Sequence, residues 1–170
     1  MTRVTKTVNS TLLMGQKSLE AKRKLELQGL YMPVRPVYAR PELPDDLTAL
    51  DDRDLMSLMG QSTQWVNYLS TQLAAAEVDE KYAEQSLENV QAVNRIMNRG
   101  EKSVTAIKAM THEDPAYIEA SEKLHEAYAF RKLNAALYAN EERNNFLYSR
   151  EVTRRVGRND RDNRTARYTT

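Results

Sequence analysis

From Asp51 to Gly100 the chain holds no proline and one internal glycine, Gly60. Within that stretch side chains recur at alternating steps of four and three: Leu55, Met59, Ser62, Val66, Leu69, Leu73, Ala76, Glu80, Ala83, Leu87, Val90, Asn94 and Met97. Ten of the thirteen are apolar. A seven-residue repeat held this long is the signature of a helix that lays one stripe against a partner helix, with left-handed supercoiling. At ~1.5 Å per residue such a helix is about 70 Å long. Asp51 is a suitable N-cap, Asp52 and Asp54 favour the first turn's dipole, and Gly100 offers a stop. The polar seam positions Glu80 and Asn94 have the character of residues that set register or oligomeric state at some cost in stability. Trp65 and Tyr68 flank the stripe and widen it, which asks for more than one neighbour and predicts three or more packed helices.

A second long helix begins at Asp114-Pro115, an N-cap followed by proline at the first helical position. It is expected to run to Val156, with Tyr117, Ile118, Leu124, Ala127, Phe130, Leu133, Leu137, Phe146, Leu147 and Val152 among its apolar positions. A short helix and turn fill 101–114. Two long helices joined by a short connection form an antiparallel hairpin. The expected fold is therefore all-α, an elongated antiparallel helical hairpin or coiled-coil bundle, with an extended N-terminal arm and a basic C-terminal tail. Its parts are a basic segment 1–32 with a short helix near Ser18 to Gln28 capped by Ser18 and ended by Gly29, a proline-rich arm 33–50, the hairpin 51–156 with helices near 52–98 and 115–156, and an arginine-rich tail 157–170. The arm reads PVRPVYARPELP over 33–44, and its four prolines forbid helix and favour polyproline II. It is either a connector or a strand that docks on a neighbouring subunit.

Composition narrows the function. Hydrophobic residues make up 41% of the 170, charged residues 29%, and the mean hydropathy of −0.71 is too polar for a large globular core. There is no cysteine, which removes disulfides and thiolate metal sites and favours a reducing, cytoplasmic setting. No apolar run is long enough for a membrane span, and TLLM near the N-terminus is too short for a signal core. His112 and His125 belong to no metal-ligand spacing, and the five glycines are too scattered to form a phosphate loop. The expectation is a non-enzymatic protein with no catalytic residue, metal or cofactor.

Charge is segregated. Residues 1–44 carry net +5, 45–100 carry −6, 101–149 carry −2 and 150–170 carry +4. The acidic stretch DDLTALDDRD at 45–54 serves capping and solubility, or pairs with the basic ends within the chain or between subunits. The tail's Arg154, Arg155, Arg158, Arg161, Arg164 and Arg167 recur every three or four residues. Arginine forks onto phosphate, and Tyr168 could stack on an unpaired base. Lys17, Lys22, Arg23 and Lys24 could join the same surface if the ends meet. Three readings of the tail stand: a solvated helix end, a nucleic-acid contact and a protein contact. The aspartates Asp160 and Asp162 dilute its charge.

The stretch STQWVNYLSTQLAAAEVDEKYAEQSLENVQA, followed by DPAYIEASEKLHEAYAFRKLNAALYANEERNNFLYSRE, resembles the UvsY family of phage recombination mediators. Trp65 and Tyr68 open a long amphipathic helix, and Phe130-Arg131-Lys132 lies in a second one with a basic end. The resemblance spans about residues 55–156 and implies a ring-forming homo-oligomer that binds single-stranded DNA. It also implies contact with a strand-exchange recombinase and help in displacing single-strand-binding protein. It transfers no individual binding residue. Within this reading Leu55, Met59, Val66, Leu69, Leu73, Ala76, Ala83, Leu87 and Val90 form the oligomer interface, and the basic residues hold single-stranded DNA or another nucleic acid in the host cytoplasm. Two competitors remain: a virion or assembly protein whose arm and tail tie subunits together, and an adaptor acting on a host protein through one helix face.

Overall fold

The computed structural model describes residues 15–98, 100 and 103–168, with side chains for all of these but 160 and 162–168. The described chain is all-α and contains no strand. Helix α1 covers Gln16–Leu27, α2 Asp52–Met97, α3 Val104–Glu113 and α4 Pro115–Tyr168, with a single 3-10 turn at Leu47–Ala49. The two long helices pack against each other as a hairpin. Contacts divide the chain into one unit of Met1–Met32 with Thr71–Ala135 and another of Pro33–Ser70 with Ala136–Thr170.

Local chemistry sets the helix ends. Asp51 caps α2 by accepting from the Asp54 amide at 2.7 Å. Asp114 caps α4 by accepting from Ala116 at 3.1 Å, ahead of Pro115. Ser103 caps α3 through the Ala106 amide. Gly29 closes α1 in the left-handed region, at φ 77°, with its amide on Glu26 and the Leu30 amide on Leu25, the pairing of a Schellman motif. Gly100 has no such conformation, and α2 ends earlier, at Met97.

In the first unit the start of α1 departs from expectation. Ser18 does not cap it; the helix begins at Gln16, and Ser18 lies inside its first turn, buried. The cap comes from Asp79 of α2, whose carboxylate accepts from the Gly15 amide at 2.7 Å, the Ser18 amide at 3.2 Å and the Ser18 hydroxyl at 2.8 Å. A Cβ on Gly15 would stand 2.5 Å from that carboxylate, so the backbone approaches there because residue 15 has no side chain. Farther along, Glu80 pairs with Arg131 of α4, and Asn94 donates to Asp114 at 2.6 Å. Ala75, Ala76 and Ala120 supply buried small side chains.

In the second unit Trp65, Tyr68 and Leu69 form the apolar centre, with Tyr38 and Tyr138 packed on it. Trp65 and Tyr68 meet edge to face at 5.8 Å between ring centroids. The extra neighbour that these aromatics demand is not a third helix but the proline-rich arm. It lies on its own chain: the Tyr38 hydroxyl meets Gln64 at 2.7 Å, the Arg35 guanidinium sits over the Trp65 ring at 5.8 Å, and Arg40 lies 3.6 Å from Glu141. Glu141 has no exposed surface; it accepts from the Ser62 hydroxyl at 2.7 Å beside the fully buried Tyr148. Burial, then the nearby Glu141 charge, pushes the Tyr148 phenol above its ordinary value.

Candidate nucleic-acid interface

Helix α4 does not stop at Val156. It continues through Gly157 to Tyr168, so the backbone of the arginine-rich segment is helical. Arginine is a good helix former, and one glycine costs only about 1 kcal/mol in a helix interior. On a helix, residues four apart share a face. Arg150, Arg154 and Arg158 therefore form one row, stepped by about 6 Å at ~1.5 Å per residue.

The arginines have different partners. Arg155 is built into the fold. Its guanidinium donates to Asp52 at 2.6 Å, to the carbonyls of Leu47 at 3.0 Å and Leu50 at 2.9 Å, and to Glu151 at 2.9 Å. Its fork thus ties the turn before α2 and the first residue of α2 to α4. The expected pairing between the acidic stretch and a basic end is realised here within one chain. Asp46 contributes by capping the same turn, and the Thr48 hydroxyl, then the Thr48 amide, holds its carboxyl below the usual range.

Arg154 forks onto Glu151 at 2.6 and 2.7 Å, and its side chain remains half exposed. Hydrogen bonds from Arg154 and then Arg155 hold the Glu151 carboxyl down to about 2, against an ordinary 4.5. Arg158 is exposed and has no carboxylate partner among the described side chains. Arg154, Arg155 and Arg158, with Thr48, Asp52 and Asn159, border an open polar recess of about 290 Å³. Arg161 is exposed and already engaged. The side chains of Arg164, Arg167 and Tyr168 lie outside the described residues.

The N-terminal cations are in the other unit. Lys17 pairs with Glu20 at 3.0 Å and sits 5.2 Å over the Tyr82 ring, and Lys22 pairs with Glu26 at 3.8 Å. Arg23 and Lys24 are exposed. Of the seam residues, Leu55, Leu69 and Ala76 are buried within the single chain, and Met59, Val66, Leu73, Ala83, Leu87 and Val90 are half-buried. The seam thus covers much of itself without a second copy.

Two groups of basic residues escaped the sequence reading. Arg150 carries no partner signal in isolation, yet its four-residue spacing from Arg154 places it on the arginine row, with its guanidinium 5.8 Å from the Phe146 ring. In the first unit Arg95, Lys108 and His112 line a groove of about 470 Å³ floored by Val104 and Ile107. They lie on two different helices, which no linear spacing reveals. The His112 ring meets Tyr117 edge to face at 4.8 Å. Among the described residues no cluster of His, Cys, Asp or Glu could hold a metal, and no helix is long and apolar enough to cross a membrane. No protein-family model, curated protein or solved structure matches this chain.

Proposed function

We propose that this chain is a non-enzymatic, nucleic-acid-binding accessory protein of the phage recombination-mediator type, acting on single-stranded DNA. The observation that carries the reading is the exposed arginine row of α4, in which Arg150, Arg154 and Arg158 share one face beside an open polar recess. Planar guanidiniums at repeated steps are suited to a chain of phosphates. Several copies acting together would raise the avidity of weak single contacts. The family resemblance of residues 55–156 adds the recombination role and a recombinase as protein partner.

The test is fluorescence anisotropy with a labelled oligodeoxythymidine, repeated from low to physiological salt. Binding should weaken as salt rises, with a log–log slope near −0.7 for each phosphate engaged on a single strand. Truncation after Arg155 removes Arg158, Arg161, Arg164 and Arg167 and should flatten that slope. Absent or salt-insensitive binding would reject the reading.

One observation favours the assembly alternative. The arm's outer face carries Val34 and Val37, at 84% and 103% exposure. A protein that ties subunits together through this arm would lose assembly, and keep DNA affinity, when Val34 and Val37 are replaced by serine.

A further inference from the structure

We propose that Glu151 is an internal competitor for phosphate, which masks Arg154 in the free protein and must be displaced when a nucleic acid binds. The proposal rests on the nucleic-acid reading above and concerns how that site is tuned. Glu151 is nearly buried, at 7% exposure, and two guanidiniums converge on it. They are not equivalent. Arg155 spends its remaining donors on Asp52 and on the carbonyls of Leu47 and Leu50, so turning it outward would break a whole set of contacts. Arg154 has Glu151 as its one hydrogen-bonded partner among the described residues and keeps half of its side chain in solvent. A bidentate carboxylate and a bidentate phosphate oxygen pair offer the same fork geometry, so one can replace the other. After the exchange Glu151 keeps Arg155, and no buried charge is stranded.

A direct consequence is unequal worth along the arginine row. Phosphate binding at Arg154 gives up an existing ion pair, and the net gain is the difference between two similar interactions. Arg158 has no carboxylate to give up among the described side chains, so it serves as the comparison position.

The experiment uses the full chain and a 5′-fluorescein oligodeoxythymidine of twenty nucleotides. Anisotropy is followed across potassium chloride concentrations for the wild type, Arg154→Ala, Arg158→Ala, Glu151→Gln and the double variant Glu151→Gln/Arg154→Ala. Arg158→Ala should weaken binding several-fold and reduce the salt slope by about 0.7. Arg154→Ala should weaken it distinctly less. Glu151→Gln should tighten binding several-fold, and that gain should vanish in the Arg154→Ala background. A loss from Arg154→Ala equal to or larger than that from Arg158→Ala overturns the proposal; this exposed-surface variant serves even if Glu151→Gln folds poorly. Glu151→Gln that binds no tighter than wild type at unchanged helicity also overturns it, as does a gain that persists without Arg154. Wild-type protein that fails to bind the oligonucleotide at low salt rejects the underlying reading instead.

Discussion

At the scale of single residues, carboxylates organise this protein. Asp79 serves as an N-cap for a helix far away in sequence, accepting three hydrogen bonds at the start of α1. Asp79→Ala should release α1, at a cost of about 1–3 kcal/mol for the donors left without their acceptor. Hydrogen exchange should show faster exchange at 15–27 and little change in α4. Gly15→Ala should do the same by collision, because its Cβ would stand 2.5 Å from the Asp79 carboxylate. Ser62→Ala removes the one hydrogen bond that fully buried Glu141 accepts among the described residues and leaves Arg40 at 3.6 Å as its charge partner. The expected loss is again about 1–3 kcal/mol, read from chemical denaturation. Caps of this kind divide by legibility. Asp51, Asp114 and Gly29 were evident from the sequence because each acts on amides or carbonyls within a few positions of itself. Asp79 was not, since its donors are 61 and 64 positions away, and Ser18 was mistaken for the cap because serine usually plays that part.

At the scale of elements, the seam of α2 shows why a helix would retain polar residues on an apolar stripe. Glu80 and Asn94 have partners in Arg131 and Asp114 within one unit, and Ser62 has Glu141 within the other. In each unit these pairs admit one alignment of α2 against the following chain, since a slide by one helical turn would bury them unpaired. The Glu151–Arg155 clasp of α4 should respond to acid. Glu151 is held at about 2 when folded, against an ordinary 4.5, so its contribution is present in full above about pH 4.5 and fades as pH falls toward 2. Amides of 47–52 should therefore lose protection, measured against intrinsic exchange at each pH, across that window relative to pH 6. If they are unaffected between pH 4.5 and 2, the ion pair does not secure the turn. The Asp114-Pro115 pair foretold the start of α4, and periodicity foretold α2. It missed the end of α4, because a charged segment with one glycine carries no apolar stripe to mark it as helix.

At the scale of the whole molecule, the question is whether the stripe on α2 closes within one chain or between chains. Leu69 and Ala76 are buried without a second copy. Leu69→Ala should then lower stability by about 2–5 kcal/mol, with a melting temperature that does not depend on protein concentration. A shift that grows on dilution would instead mark Leu69 as part of a subunit contact. The all-helical character was legible because so little punctuates the sequence between 51 and 156. The role of the arm was not, because prolines report an extended backbone and say nothing of what it lies against. Only when Trp65, Tyr38 and Tyr138 are seen together does the arm become part of the core.

That placement has a practical consequence. The chain has one indole, and it is shielded at 7% exposure under Arg35 and next to Tyr38. Intrinsic fluorescence is therefore a ready gauge of docking, with no label needed: blue emission inaccessible to iodide when the strap is down, red-shifted and quenchable light when it lifts.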